Sequence, residues 1–185
     1  MMSEGQNIAI LIANGFNESE FIEMQKKMRE MNISMKIVSA NQGLVNGWDG
    51  QGWGHNYAVD AQINTALGAD YDAVVIPGGS RSHDKLKMTA HTKRFIGSMM
   101  MAEKPVMVMG DAVNLMAETE LLDGRTVTGP TESRQMATSA AAMWADETVC
   151  VDNNMMTGMW SDEYATVMQE MIKNMNDGDD YKAAA

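Results

Sequence analysis

Residues 104–118 read KPVMVMGDAVNLMAE and join a short apolar run to an apolar-periodic segment through the pair Gly110-Asp111. Apolar runs of this length are typical of strands buried on both faces, and apolar residues repeating every three or four positions are typical of helices. The stretch therefore predicts a strand, a sharp turn and a helix, the layout that holds the nucleophile in many hydrolases. No Ser, Cys or Thr stands at the turn, so this is either an unusual active site or the place where one has been lost.

Buried strands and amphipathic helices alternate along the rest of the chain. We predict strands at residues 7–13, 33–40, 72–76, 106–109 and 126–128, an antiparallel pair at 148–151 and 155–157, and helices at 18–31, 89–101, 132–143 and 162–175. Residues 42–59 are rich in Gly and Trp and carry Asn-Gly and Asp-Gly turn signals, so we expect a hairpin or loops there. This alternation predicts an α/β sandwich with a mostly parallel central sheet.

Length and composition predict one domain. The chain has 185 residues, of which 45% are hydrophobic and 21% charged, which is ordinary for a globular protein with one full core. We expect residues 1–175 to form this single domain and residues 176–185, which lack periodicity, to be a disordered tail.

The charge balance argues against nucleic-acid and membrane partners. The net charge is −11, with 14 basic residues against 25 acidic ones, whereas phosphate binding needs clustered Lys and Arg. The first residues lack a basic region and a long apolar run, and one cysteine cannot form an internal disulfide. We therefore expect a cytoplasmic protein.

Methionine is unusually frequent, with 21 residues spread over most predicted elements. Nine of them, at positions 24, 28, 31, 35, 107, 109, 168, 171 and 175, fall where helices and strands should face the core, so we interpret them as adaptable core fillers. A copper(I) site is the alternative, but it needs Met or Cys side chains that converge on one point.

Ligands of parallel α/β sheets bind beyond the carboxyl ends of the strands. This rule predicts that four stretches converge there: residues 14–20, 77–83, 110–112 and 158–161.

The same stretches carry a family resemblance. The strings IAILIANGFNESEF, YDAVVIPGGSR, KPVMVMGDAVNLMAE, LLDGRTVTG and VCVDNNMMTG, in this order, resemble the ThiJ/PfpI family of the class I glutamine amidotransferase-like superfamily. The resemblance covers residues 7–175 and implies a flavodoxin-like three-layer sandwich, a homodimer and no cofactor.

The resemblance places a catalytic cysteine of the family at the turn, where this chain has Gly110, followed by Asp111 in place of His or Ala. The only cysteine, Cys150, belongs to the late antiparallel pair and is interpreted as a small buried hydrophobe. The chain therefore cannot perform hydrolysis, deglycation or glyoxalase chemistry through a cysteine at this turn, as the family does.

Other family positions are retained. Glu20 matches the carboxylate that contacts the family's cysteine, and Pro77 begins the turn of its anion pocket. The candidate pocket residues implied in this way are Gly78, Gly79, Arg81, Gly110 and Ala112. Residues 159–161, Met-Trp-Ser, replace the R-G-P that usually closes this pocket.

The pair Gly110-Asp111 has two interpretations. In the first, the pair has only a structural role: Gly110 relieves backbone strain in the turn, and Asp111 caps the following helix. In a catalytic site, Glu20 and Asp111 form a carboxylate pair, and their mutual repulsion separates their pKa values. One carboxyl group could then act as an acid and the other as a base. The same pair could instead hold a hard cation, with His83 as a third group, although we assign no metal site.

The remaining His and Trp residues are less informative. His55 and His91 are interpreted as polar surface residues. Tryptophans 48, 53 and 160 could line a pocket or a subunit interface, and the sequence leaves both uses open.

The string Gly-Asp-Ala also resembles the C-terminal domain of large-subunit catalases, which lacks the nucleophile. We therefore predict a non-catalytic or weakly catalytic module that binds small molecules or is associated with stress. The alternatives are a hydrolase or a glyoxalase-like or deglycase-like enzyme that uses Glu20 and Asp111, and a structural interaction domain.

Overall fold

The computed structural model describes residues 5–183, with the side chains described as far as residue 175. The strands are β1 (Asn7–Ile12), β2 (Phe16–Asn17), β3 (Ser34–Ser39), β4 (Leu44–Trp48), β5 (Trp53–Ala58), β6 (Ala61–Gln62), β7 (Ala73–Ile76), β8 (Val106–Met109), β9 (Thr126–Val127), β10 (Met143–Trp144), β11 (Val149–Asp152) and β12 (Met155–Gly158). The α-helices are α1 (Glu18–Glu30), α2 (Ser80–Leu86), α3 (Ala90–Met101), α4 (Ala112–Glu118), α5 (Arg134–Ser139) and α6 (Asp162–Ala183). Within this range no helix combines the length and the apolar character needed to cross a membrane.

The central sheet is mostly parallel. Among the described residues its seven strands lie in the order β11-β12-β8-β7-β1-β3-β6, and only β11 and β12 pair antiparallel. Because β1, β7, β8 and β12 run in the same direction, their carboxyl ends meet at one edge of the sheet.

Helices cover both faces of this sheet. Along β1, Ile8, Ile10 and Ile12 belong to one buried cluster and Ala9 and Leu11 to another, since successive strand side chains point to opposite faces. The first cluster contains apolar residues of α1 and α6, and the second contains those of α3 and α4. The predicted three-layer α/β sandwich is confirmed.

Methionine fills the core, as predicted. Met24, Met28, Met107, Met109 and Met168 have no exposed surface, and they come from both helices and strands. They pack beside Ile, Phe and Val, where an unbranched flexible side chain can fill irregular gaps.

Residues 42–59 form the expected hairpin. Strands β4 and β5 pair antiparallel, and β2 joins β4 in parallel to give a separate three-stranded sheet. This sheet is tied to α1 by Glu18, a side chain that is only 4% exposed. Its Oε1 accepts hydrogen bonds from the His55 N–H at 3.0 Å, from His55 Nδ1 at 2.6 Å and from the Tyr57 hydroxyl at 2.9 Å.

His55 is therefore more than the polar surface residue expected from the sequence. Its ring is exposed, but its Nδ1 and backbone N–H both contact Glu18. Burial raises the pKa of Glu18, and the hydrogen bonds from His55 and Tyr57 outweigh this and leave the pKa below its usual value. Burial and the Glu18 carboxylate raise the pKa of Tyr57 to about 12.

We predict that Glu18→Ala lowers the free energy of unfolding by about 2–3 kcal/mol, because it removes three hydrogen bonds to a buried carboxylate. Urea denaturation measures the loss. Glu23→Ala, an exposed position on the same helix, is the matched control and should change stability by less than about 0.5 kcal/mol. Equal effects at the two positions would show that the hydrogen bonds between Glu18 and the hairpin do not stabilise the fold.

The predicted helices differ from the structure at α5 and at α2. Helix α5 ends at Ser139, far short of residue 143, because Ala141 adopts a φ of +63° and the next residues pair with β9. Helix α2 was not predicted, since its sequence SRSHDKL has almost no apolar periodicity.

Helix α6 continues through residues 176–183, where the sequence predicts a disordered tail. A helix can extend past its last buried turn because each added residue gains one backbone hydrogen bond. Residues 184–185 and the side chains from residue 176 onward lie outside the described part of the chain.

Candidate functional site

The site lies at the sharp turn between β8 and α4. Gly110 follows the last residue of β8, is buried and has a φ of +54°, a backbone conformation that glycine adopts at little cost. Its N–H donates to the Gly158 carbonyl at 2.9 Å, which joins the turn to the end of β12. The strand, turn and helix predicted from residues 104–118 are present.

Two carboxylates meet at this turn. Glu20 Oε2 accepts a hydrogen bond from the Gly78 N–H at 3.2 Å, and Asp111 Oδ1 accepts one from the Gly79 N–H at 2.8 Å. A Cβ added at Gly78 would lie 2.7 Å from Asp111 Oδ1 and 3.1 Å from Glu20 Oε1, so both oxygens border the same small space. Consecutive backbone N–H groups of the Pro-Gly-Gly turn thus hold the two side chains together.

Glu20 also faces Gly110, which has no side chain. A Cβ built on Gly110 would lie 3.1 Å from Glu20 Oε1. Asn17 holds this oxygen by donating from its Nδ2 at 2.8 Å, and its own Oδ1 accepts from the Glu20 N–H at 3.3 Å. The carboxylate is therefore fixed from two sides and aimed at the turn.

Burial raises the pKa of Glu20, and the neighbouring Asp111 charge raises it further, against the opposing effect of the Gly78 and Asn17 hydrogen bonds. Beneath it, the fully buried Tyr164 donates its hydroxyl to the Val108 carbonyl at 2.9 Å. Burial and the nearby Glu20 charge raise the pKa of Tyr164 well above its usual value. Proton uptake by Glu20 is thus favoured in the folded state.

This pKa shift predicts a pH-dependent effect of Glu20→Gln. A raised folded-state pKa makes the protonated carboxyl stabilising below the unfolded-state pKa, and this contribution is lost as pH rises through the folded-state value. The stability of Glu20→Gln relative to the wild type should therefore increase as pH rises through this window.

Urea denaturation between pH values of about 4 and about 8 tests this trend, with the exposed Glu23→Gln as the control. A stability difference between Glu20→Gln and wild type that stays constant, or that falls as pH rises, would contradict the raised pKa.

Asp111 does not cap α4 as the structural interpretation predicts. It is the residue before the helix, but its side chain makes no capping hydrogen bond and binds the Gly79 N–H instead. The local capping preference is thus overridden by a contact between residues 32 positions apart.

His83 does not complete a cation site. Its Nε2 lies 3.0 Å from the Pro77 carbonyl, and its Nδ1 lies 4.0 Å from Asp111 Oδ1. Burial lowers the pKa of His83, against the opposing effects of the Pro77 carbonyl and Asp111. Among the residues that the structure describes, no group of three or more His, Cys, Asp or Glu side chains could hold a metal ion.

A cavity of about 590 Å³ opens above the turn. Its walls include the two carboxylates together with Trp48, Arg81 and Met159. The guanidinium carbon of Arg81 lies 3.7 Å from the centroid of the Trp48 ring, a cation–π contact. Of the two uses left open for tryptophan, Trp48 therefore lines the cavity.

The remaining candidates lie elsewhere. Ala112 begins α4 with its side chain in the hydrophobic core. Cys150 is buried on β11, as expected. Trp160 packs against Tyr164, whereas Trp53 is 57% exposed and contacts Trp48 edge-on. His91 is exposed on α3.

Two site residues were missed. Asn17 positions Glu20, and the pattern Asn-x-x-Glu at residues 17–20, with Asn17 as the N-cap of α1, could have indicated it. Asn114 lines the cavity one turn into α4, and no sequence signal separates it from other polar helix residues.

The fold, the turn between β8 and α4 and the Pro-Gly-Gly turn agree with the comparison to known families. The DJ-1/PfpI family model matches residues 6–174, and the chain belongs to this family.

Two relatives match this chain over nearly their whole length. General stress protein 18 of Bacillus subtilis (strain 168) is 29% identical over 170 residues, which cover 91% of this chain and 96% of that protein. The ThiJ/PfpI domain protein of Brachyspira murdochii superposes with a TM-score of 0.81 at 20% identity, over 95% of this chain and 99% of the other. The superposition agrees with a flavodoxin-like fold.

A third match is a two-domain protein from Anabaena variabilis with DJ-1/ThiJ/PfpI-like and ferritin-like domains. It superposes with a TM-score of 0.82 at 24% identity over 92% of this chain. This chain spans only 48% of that protein's length.

Proposed function

We propose that this chain is a small-molecule-binding member of the DJ-1/PfpI family that works without thiol chemistry. The observation that carries the proposal is the turn itself, where Gly110 supplies no side chain and Glu20 faces the vacated place. The Gly79 N–H, which could otherwise stabilise an oxyanion, is occupied by Asp111. The cavity above the turn has a volume in the range of ligand sites.

Cys150 does not substitute for the missing nucleophile. It lies on β11, outside the cavity lining, and burial and the nearby acidic residues raise its pKa. A thiol with a raised pKa holds less thiolate, which is the reactive form.

An association with stress is part of this proposal. Its support is the similarity to a relative named as a general stress protein. A homodimer and a cytoplasmic location belong to the proposal too, and sedimentation of the purified chain and microscopy of a tagged copy test them. A purely structural interaction domain, as suggested by the catalase-like string Gly-Asp-Ala, predicts instead that the cavity binds nothing.

A single set of assays tests the proposal. The wild type should not turn over methylglyoxal, peptides or amides, whereas members of a fragment library should bind and raise its melting temperature. Clear turnover that disappears in Glu20→Gln and in Asp111→Asn would contradict the proposal.

That outcome would favour a second candidate, an enzyme in which Glu20 and Asp111 act as acid and base. The specific observation in its favour is the raised pKa of Glu20, caused by burial and by the Asp111 charge beside it. Neither carboxylate needs a covalent intermediate to transfer a proton or activate water. Carboxyl titration by NMR tests this candidate, because an ordinary pKa for Glu20 would remove its basis.

A further inference from the structure

We infer that the cavity recognises small amino-carboxylates, with Arg81 binding the ligand carboxylate and with Glu20 and Asp111 facing its ammonium group. The inference rests on the proposed small-molecule binding and assigns the chemical class of the ligand.

Arg81 is a cation without an anionic partner. Among the described residues no carboxylate oxygen lies within 4.0 Å of its guanidinium nitrogens, and its side chain donates no hydrogen bond. Its guanidinium instead lies over the ring of Trp48. Stacking occupies the face of a guanidinium and leaves the N–H groups at its edge free, in a planar arrangement that matches a carboxylate.

Arg81 is exposed to solvent, and packing against its neighbours restricts its side chain. A Cβ at Gly15 would lie 2.3 Å from Arg81 Cβ and 3.1 Å from its Cδ, so the aliphatic stem packs directly against a bare glycine backbone. With Trp48 under the guanidinium, the chain fixes both ends of this side chain. Part of the entropy cost of ordering an arginine is therefore met before a ligand arrives.

The Pro-Gly-Gly turn in the cavity wall disfavours an anion. The Gly78 and Gly79 N–H groups already bind Glu20 and Asp111, so neither is free for a ligand carboxylate, which would also lie beside two carboxylates. A group that donates hydrogen bonds, above all an ammonium, matches two carboxylates instead.

The rim sets the overall charge of the ligand. Asp49 and Glu132 also line the cavity, and Asp49 Oδ1 already accepts hydrogen bonds from the Gln51 and Gly52 N–H groups. With one cation and four carboxylates in the walls, a ligand with two negative charges is disfavoured. A zwitterion, with one carboxylate and one ammonium, offers a partner both to Arg81 and to the carboxylates Glu20 and Asp111.

The test begins with the twenty free L-amino acids, each titrated into the wild type by calorimetry. One matched set then separates the two charges: L-leucine, L-leucinamide, 4-methylpentanoate and 3-methylbutylamine. We expect at least one amino acid to bind, and we expect binding to weaken when either its carboxylate or its ammonium is absent.

The variant Arg81→Gln should weaken amino-acid binding by about 10- to 100-fold, the loss expected for a charge-assisted hydrogen bond, and should leave the weaker binding of the corresponding amide unchanged. A purely structural role for Arg81 would change both equally. Arg29→Gln, at an exposed position of α1 outside the cavity, is the matched control and should have no effect.

The inference is overturned if no amino acid binds, if the amide binds as tightly as the acid, or if Arg81→Gln binds the amino acid normally. A parallel NMR titration with neutral fragments distinguishes failure of this inference from failure of the proposed function. Shifts of the Gly79 and Gly110 signals with fragments but not with amino acids would contradict this inference alone. The absence of shifts with both would contradict the proposed function as well.

Discussion

Gly79→Ala is expected to lower the free energy of unfolding by at least about 3 kcal/mol, the largest stability loss that we predict. Gly79 has a φ of +126°, which L side chains rarely adopt. A Cβ there would also lie 2.7 Å from Asn17 N, 2.7 Å from Gly15 O and 2.8 Å from Phe16 Cα. These are backbone atoms, so the strain cannot be relieved by rotating a side chain.

The control for this variant is Gly124→Ala. Gly124 has a φ of +73°, but a Cβ there would meet no atom within 4 Å, so its expected cost is about 1 kcal/mol for the backbone conformation alone. Urea denaturation of both variants gives the comparison. Equal losses would show that the close approach of the Pro-Gly-Gly turn to residues 15–17 does not constrain the site.

Gly110→Cys, made in a Cys150→Ser background, should restore a thiol that reacts slowly. Its Cβ would lie 3.1 Å from Glu20 Oε1, and Asp111 is the adjacent residue, so neighbouring negative charge disfavours the thiolate. Removing one of these charges with Asp111→Ala should free the Gly79 N–H and speed alkylation by about tenfold.

Iodoacetamide alkylation followed by mass spectrometry over a range of pH measures these rates. Gly124→Cys is the matched control, since it places a thiol at a glycine with positive φ and no neighbouring atoms. If the thiol at position 110 reacts as fast as this control while Asp111 is present, the two carboxylates do not suppress an anion at the turn.

The layers of the fold could be predicted from the sequence, and so could the proximity of Glu20 to the turn between β8 and α4. Buried apolar runs such as residues 7–13 and 106–109 are separated by helical periodicity, and parallel strands bring their carboxyl ends to one edge. Glu20 follows β1 and Asp111 follows β8, so their proximity is a consequence of topology. Helix α2 was missed because its contacts with the core come from Ser82 and His83 as well as Leu86.

The partner of Asp111 and the position of Trp48 could not be predicted. A residue before a helix has a local preference to cap it, and only the three-dimensional closeness of Gly79 decides the competition. Trp48 reaches the cavity because β4 pairs with the two residues of β2, with Phe16 opposite Gly47, and no pattern in the sequence specifies this short register. Its contact with Arg81 depends on that pairing.

The central claim is that the turn at Gly110 has become a binding site without a nucleophile. Its most direct test is an NMR titration of the isotopically labelled wild type with a fragment library, followed by mass measurement of the protein. The account predicts reversible shifts of the Gly79 and Gly110 amide signals and of the Trp48 indole signal, with no change in the mass. Unchanged signals at these three residues, or a covalent adduct formed at this site, would contradict it.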